Sequence, residues 1–172
     1  YFMDLTQYVR DIPDFPQEGI VFKDITPLLS NPSAFRFVID NFSMRYSDKK
    51  IDAIVGIDAR GFIFASALAY RMGVGFIPVR KPGKLPYKTI EEQYDLEYGS
   101  NTLAIHEDAI NPDANVIICD DVIATGGTLT ATINLVEKLG GQVVSIATLI
   151  ELVFLNGRQH FPGYDIYSLI EF

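Results

Sequence analysis

Short, nearly unbroken apolar runs recur along this chain, separated by stretches with helical spacing. Ile51 to Ile57, Gly75 to Val79, Val116 to Cys119 and Val143 to Leu149 are such runs. At that length, bounded by glycine or charge, they read as strands buried on both faces. Tyr164 to Ile170 predicts a last strand. Ser33 to Tyr46 reads as a helix with Phe35, Val38, Ile39 and Phe42 as its apolar positions, and Pro32 stands near its first turn. Gly61 to Met72 reads as an apolar helix ended near Gly73. Gly127 to Leu139 reads as another, closed by Gly140-Gly141. Alternation of helices with wholly apolar strands predicts an α/β fold, a parallel sheet with helices on both faces.

The remaining segments are less regular. Leu5 to Val9 reads as a short helix stopped at Ile12-Pro13, and Pro13 and Pro16 bracket an extended turn. Ile20-Val21-Phe22 is a short apolar run. Residues 80 to 89 form a loop containing Gly and Pro, and residues 90 to 106 read as two short strands around Tyr98-Gly99-Ser100. No internal repeat or second hydrophobic core is visible, so residues 1–172 are expected to form one domain.

The chemistry concentrates in Val116 to Ala131, VIICDDVIATGGTLTA. A buried strand is followed at its end by Asp120 and Asp121, then by Ala124-Thr125-Gly126-Gly127-Thr128 and a helix start. Unpartnered N–H groups and the helix dipole favour an anion there. Gly126 and Gly127 let the backbone approach a phosphate, and Thr125 and Thr128 add hydroxyl donors. The carboxylates suit ribose hydroxyls or a Mg²⁺ ion. The string lacks the Lys-Ser or Lys-Thr of a Walker A loop and the G-x-G-x-x-G dinucleotide fingerprint. In parallel sheets ligands bind at the carboxyl ends of strands. Asp58-Ala59-Arg60-Gly61 and Arg80-Lys81 also fall at such ends. Arg60 can reach a diphosphate with its guanidinium fork, or pair with Asp58 at the helix start.

Composition narrows the partners. The net charge of −8 argues against nonspecific nucleic-acid binding. Within that acidic background, Arg80 to Lys88 carries four cations and no acid, a patch suited to a polyanionic substrate. No apolar run is long enough to span a membrane, and the first residues do not read as a secretory leader. The lone Cys119 has no internal disulfide partner and fits a reducing, cytoplasmic setting. His106 and His160 stand alone and read as structural.

The string around Asp120 resembles the phosphoribosyl diphosphate (PRPP) motif of the type I phosphoribosyltransferases. Further segments resemble the adenine phosphoribosyltransferases: Phe15 to Ile25, Asp58 to Phe64, Val79 to Pro86 and Tyr94 to Gly99. The resemblance covers nearly the whole chain. It implies the type I parallel-sheet fold, with a small hood near residues 1–30 and a flexible loop at about 80–100. It implies conversion of adenine and PRPP to AMP and pyrophosphate in purine salvage, with Mg²⁺ as cofactor, in a homodimer. Ala124 to Thr128 would hold the 5′-phosphate, and Asp120 and Asp121 the ribose hydroxyls. Arg60, Arg80 and Lys84 would face pyrophosphate, with Arg60 and Lys84 aiding catalysis. Val21 and Lys23 would read adenine through backbone groups, with Phe22 beside the base. The family often carries Arg where Lys23 stands, a change that a backbone contact tolerates. Glu97 would exchange a proton with the purine ring. Composition alone does not choose among Glu91, Glu92, Asp95 and Glu97, and a solvated face is the default for each. Mg²⁺ would have no dedicated protein ligand and would be held mainly by PRPP, with Asp120 or Asp121 as the protein groups able to join it.

Two other functions fit parts of the pattern. One is transfer to hypoxanthine, guanine or xanthine. The other is a PRPP-sensing regulator, which would need a basic DNA-binding segment that the acidic balance does not favour.

Overall fold

The computed structural model describes residues 2–96 and 99–172. A five-stranded parallel sheet carries the molecule. Its strands are β3 (Ala53–Ile57), β4 (Gly75–Val79), β7 (Asn115–Ile123), β8 (Gln142–Glu151) and β9 (Ile166–Glu171). They lie in the order β4-β3-β7-β8-β9. All five β3 residues are buried, as a strand covered on both faces requires. The helices are α1 (Thr26–Ser30), α2 (Pro32–Arg45), α3 (Arg60–Met72) and α4 (Gly127–Lys138).

Two apolar clusters flank the sheet. One joins Phe42, Tyr46, Phe64 and Leu68 to Ile54 and Ile117. The other joins Leu129, Ile133 and Val136 to Val55 and Ile118. Neighbouring residues of β3 and of β7 thus feed opposite clusters, the two-faced burial that the period of a strand imposes. Strand order reverses between β3 and β7, where loops leave in opposite directions and open a crevice.

Two hairpins stand outside this sheet. β1 (Arg10–Pro13) pairs antiparallel with β2 (Val21–Asp24), with Ile12 opposite Phe22. β5 (Thr89–Asp95) pairs antiparallel with β6 (Ser100–His106) in continuous register from Thr89–His106 to Asp95–Ser100. This pairing matches the two short strands expected within residues 90–106, and residues 81–88 before them have neither helix nor strand. Leu5–Tyr8 is a 3₁₀ turn capped by Asp4, shorter than the expected helix. β1 and α1 had no counterpart in the apolar pattern, because β1 buries little and α1 is barely one turn.

Buried polar groups tie α2 to the sheet. The Tyr46 hydroxyl lies 2.9 Å from Ser145 Oγ, and Ser145 also donates to Asp165 Oδ2 at 2.6 Å. Arg45 pairs with the same carboxylate at 3.0 Å. Burial pushes the Tyr46 hydroxyl well above the usual phenol range, so it stays protonated. The two ends of the Tyr46–Ser145 bond are unequal. Tyr46→Phe leaves Ser145 its bond to Asp165 and should cost about 1 kcal/mol. Ser145→Ala strands a buried hydroxyl and should cost more, up to ~3 kcal/mol. Urea unfolding midpoints of the two variants test the order, and equal losses would refute it.

Candidate active site

β7 carries the acidic pair, and it runs further than its apolar pattern indicated. Asp120 and Asp121 lie within the strand rather than beyond it, and each is only 7% exposed. Thr148 on β8 pairs with Asp120 and holds the ladder open to Ile123. The Asp120 side chain turns back, accepting the Asp121 N–H at 2.8 Å. A Cβ on Gly61 would stand 2.8 Å from Asp120 Oδ1, so only glycine lets α3 start this close to β7. Burial and the neighbouring Asp121 charge raise Asp120 well above the usual carboxylate range.

Arg60, at the start of α3, joins three parts of the site. Its Nε lies 2.7 Å from Asp121 Oδ2, at ion-pair distance but without hydrogen-bond alignment. Its Nη1 approaches the Lys23 carbonyl at 3.5 Å, and its guanidinium lies 4.6 Å from the Phe22 ring centre. The alternative pairing with Asp58 is not formed. Asp58 instead holds Arg80 Nε at 2.9 Å, and Arg80 Nη1 reaches the Lys84 carbonyl at 3.3 Å. Arg80 also exchanges two backbone bonds with Ala104 of β6. The strand-end cations are thus oriented by protein carboxylates. Lys84 is exposed on its loop and makes no ion pair among the described residues.

After β7 the chain turns through Ala124 and Thr125 into α4. The left-handed residue is Gly126, with φ of 94°, and Gly127 is the first helical residue. No side chain caps this end. The first helical bond runs from the Thr130 N–H to the Gly126 carbonyl. The N–H groups of Gly127, Thr128 and Leu129 therefore point toward any anion at the helix start. A cleft of about 160 Å³ lies against Ala124 to Thr128, with Tyr94, Asp95 and Leu96 as its other wall. A larger one, about 460 Å³, lies beyond Thr125 and is bounded by Gln93, Asn134 and His160. The Tyr94 ring crowds the hypothetical Cβ of Gly127 at 3.0 Å, so the β5–β6 hairpin rests over the helix start.

The β1–β2 hairpin forms the outer wall. Val21 is 53% exposed. Phe22 meets Phe15 edge-on at 5.1 Å. The Lys23 side chain is turned away, paired with Asp11 at 2.6 Å and lying 3.9 Å from the Phe172 ring centre. Its side chain is thus engaged within the protein.

Two acids depart from expectation or lie beyond description. Glu92 is not solvated. It pairs with Lys138, accepts from Asn134 at 3.3 Å, and so fastens the β5–β6 hairpin to α4. The Lys138 contact holds it below the usual carboxylate range. Glu97 lies outside the described residues. His106 is structural, accepting the Tyr87 N–H at Nε2 over 3.2 Å.

Sequence reasoning missed the support beneath the loop from Ala124 to Thr128. Glu151 is buried and forked by Arg158, whose hydrogen bonds hold it below the usual carboxylate range. The only signal in the sequence was the Asn156-Gly157 turn pair.

The crowded acidic pair makes stability depend on pH. Below about pH 4 Asp120 is protonated in both folded and unfolded chains, and no second charge is buried. As pH rises through its elevated folded pKa, that protonation is lost, and the stability it contributes goes with it. Asp120→Asn removes this penalty. Its thermal midpoint should match the parent near pH 4 and exceed it increasingly toward pH 8. A constant difference across that range would show that Asp120 is not the titrating group.

Comparison with known proteins agrees with this geometry. Residues 24–166 match the family model of the phosphoribosyl transferase domain. Adenine phosphoribosyltransferase of Thermotoga sp. strain RQ2 is 58% identical over 168 residues, spanning 98% of this chain and 99% of that protein. The crystal structure of the Thermoanaerobacter pseudethanolicus enzyme of that name superposes with a TM-score of 0.95 at 52% identity, covering 98% of both chains. The Saccharomyces cerevisiae enzyme, solved with an imino-altritol bisphosphate and adenine, superposes at 0.91 with 42% identity over 96% of each chain. The chain therefore belongs to the phosphoribosyl transferase family, within its adenine phosphoribosyltransferase branch.

Proposed function

We propose that this protein transfers the phosphoribosyl group of PRPP to adenine, giving AMP and pyrophosphate in purine salvage. One observation carries the reading. Arg60 connects the Phe22–Lys23 strand to the Asp120–Asp121 pair, and the α4 start follows directly on β7. A base, a ribose and a 5′-phosphate need those three surfaces in that sequence.

The chemistry breaks the bond from ribose C1 to the diphosphate oxygen and forms one to a ring nitrogen of adenine, which loses its proton. Val21 and Lys23 present backbone N–H and C=O groups to the base edge, and the Phe22 ring lies beside it. Asp120 and Asp121 accept hydrogen bonds from the ribose hydroxyls and fix the sugar. The free N–H groups of α4, with Thr125 and Thr128, hold the 5′-phosphate. Arg60, Arg80 and Lys84 take up charge on the departing diphosphate, where donors fixed in advance need no reorganisation. Glu97 exchanges the proton with the purine ring.

Mg²⁺ fits this donor set in a limited way. Asp121 Oδ2 is buried without a hydrogen bond, but no group of three metal-binding side chains exists among the described residues. Asp120 or Asp121 would supply one contact, and the substrate diphosphate the remaining anionic ligands. When bound, the ion would neutralise charge on the leaving diphosphate.

We place the enzyme in the cytoplasm, a setting that suits the free buried thiol of Cys119. We also propose a homodimer built on α3. Ile63, Ser66 and Tyr70 form one outward stripe of that helix, and Tyr70 is 91% exposed. Sedimentation at micromolar concentration should give a dimer that Tyr70→Glu weakens. A monomeric parent would overturn the proposal.

Incubation with PRPP, Mg²⁺ and each purine base separates the specificities. Adenine should yield a nucleotide, and hypoxanthine, guanine and xanthine should yield little. Preferential turnover of any of those three would reject the base assignment. Glu97→Gln keeps the shape but not the transferable proton. Its turnover with adenine should fall about 10²-fold, with the PRPP KM within a few-fold. If turnover survives, Glu97 is not the proton carrier.

A further inference from the structure

The 3₁₀ segments after β8, Val153–Leu155 and Gly157–His160, have no part in the chemistry above, yet Gly157 and the following Phe161 lie directly against the loop from Ala124 to Gly126. A Cβ on Gly157 would fall into the Ala124 carbonyl oxygen and stand 3.1 Å from Ile123 Cγ2. The two backbones are therefore in contact, and only glycine fits between them. Phe161, 3% exposed, presses its ring against Gly126: a Cβ there would meet the ring at 2.9 Å. The Gly157 carbonyl would lie 3.3 Å from the same point. The loop expected to hold a phosphate thus rests on a carbonyl edge and an aromatic ring.

That support is itself anchored. Arg158 Nε donates to Glu151 Oε1 at 2.9 Å, and its second arm reaches Oε2. Nη1 donates to the Ile166 carbonyl of β9 at 3.2 Å. Ser168 of β9 donates to the same Glu151 carboxylate at 3.3 Å. Glu151 pairs across the ladder with Ile123, the residue just before the loop. A two-armed guanidinium contact fixes direction as well as distance. The arrangement is stiffer than packing alone requires.

We propose that Gly157, Arg158 and Phe161 are positioning residues for the 5′-phosphate, forming a platform that sets the height of Ala124 to Gly126 beneath it. An N–H donor to phosphate is useful only over a few tenths of an ångström, so a loop lifted from its seat loses several contacts together. The inference rests on the reading that the α4 start takes the 5′-phosphate. It does not depend on which base is used.

Calorimetric titration with ribose 5-phosphate, together with steady-state kinetics, tests the platform. Gly157→Ala should weaken ribose 5-phosphate binding and raise the PRPP KM by about tenfold or more, the scale of one lost charge-assisted hydrogen bond. The adenine KM and the turnover number should stay within about twofold. Arg158→Lys keeps the charge but loses the fork, and should shift the same two quantities by about threefold. A folded Gly157→Ala with parental ribose 5-phosphate affinity overturns the proposal, as does an equal loss in the adenine KM. Should Gly157→Ala not fold, Arg158→Lys decides. A lowered thermal midpoint with unchanged ribose 5-phosphate binding reduces the platform to ordinary stability. Parent protein that bound no ribose 5-phosphate would overturn the underlying phosphate assignment, a result distinct from either variant outcome.

Discussion

The contact between Arg60 and Asp121 is the joint on which the site depends. It lies at the carboxyl ends of β3 and β7, where the strand order reverses, just beyond the Gly56–Cys119 pair at which their ladder ends. An ion pair at such a position is only partly shielded, with Arg60 about a third exposed and Asp121 buried. Removing the Arg60 charge would leave two adjacent carboxylates buried without a cation, which is far costlier than the pair is favourable. The contact is therefore held less by its own strength than by the penalty of breaking it. The same guanidinium lies near the Phe22 ring and approaches the Lys23 carbonyl, so a single side chain sets the β2 strand relative to the Asp120–Asp121 pair.

Much of the fold was legible because parallel strands buried on both faces need no polar positions. Ala53 to Ile57 and Val116 to Cys119 are apolar without interruption and could not serve as half-exposed strands. The α3 boundary was legible because Gly73 adopts the left-handed conformation that ends a helix. β7 was cut short because Asp120 and Asp121 are charged, and charge normally ends a core strand. Here Asp121 is sustained by a cation from another element, Arg60, which no local pattern records. The β1–β2 hairpin escaped for the opposite reason. Half of its eight strand residues are exposed and none is fully buried, so it has no alternation of buried and polar positions to read.

The glycine turn at Gly126 and the α4 start were legible, since glycine turns and helix starts are local. The supports behind it were not. Glu92 looked like one acid among four until Lys138 and Asn134, forty residues later, gave it partners. Arg80 was correctly placed at a strand end, yet its orientation comes from Asp58 and from Ala104 on a different sheet. Site residues that act through local backbone geometry can be read from sequence. Those that act through a long-range partner appear only once the chain is folded.

A protein of net charge −8 that binds a polyanion presents an electrostatic conflict, and distance resolves it. Charges in physiological salt are screened over about 8 Å, so carboxylates on the far side of the molecule contribute little at the cleft. What the substrate meets is set within that radius. The local set includes the guanidinium groups of Arg60 and Arg80, the Lys81 and Lys84 ammoniums on the adjoining loop, and the positive end of α4. Asp58 and Asp121 lie in the same neighbourhood, but each is already neutralised by an arginine. Asp120 remains, and burial beside Asp121 raises its pKa and so favours its uncharged form. Asp58 and Asp121 thus orient cations and Asp120 favours its protonated form, so among these groups the positive charge left over comes from Lys81, Lys84 and the start of α4.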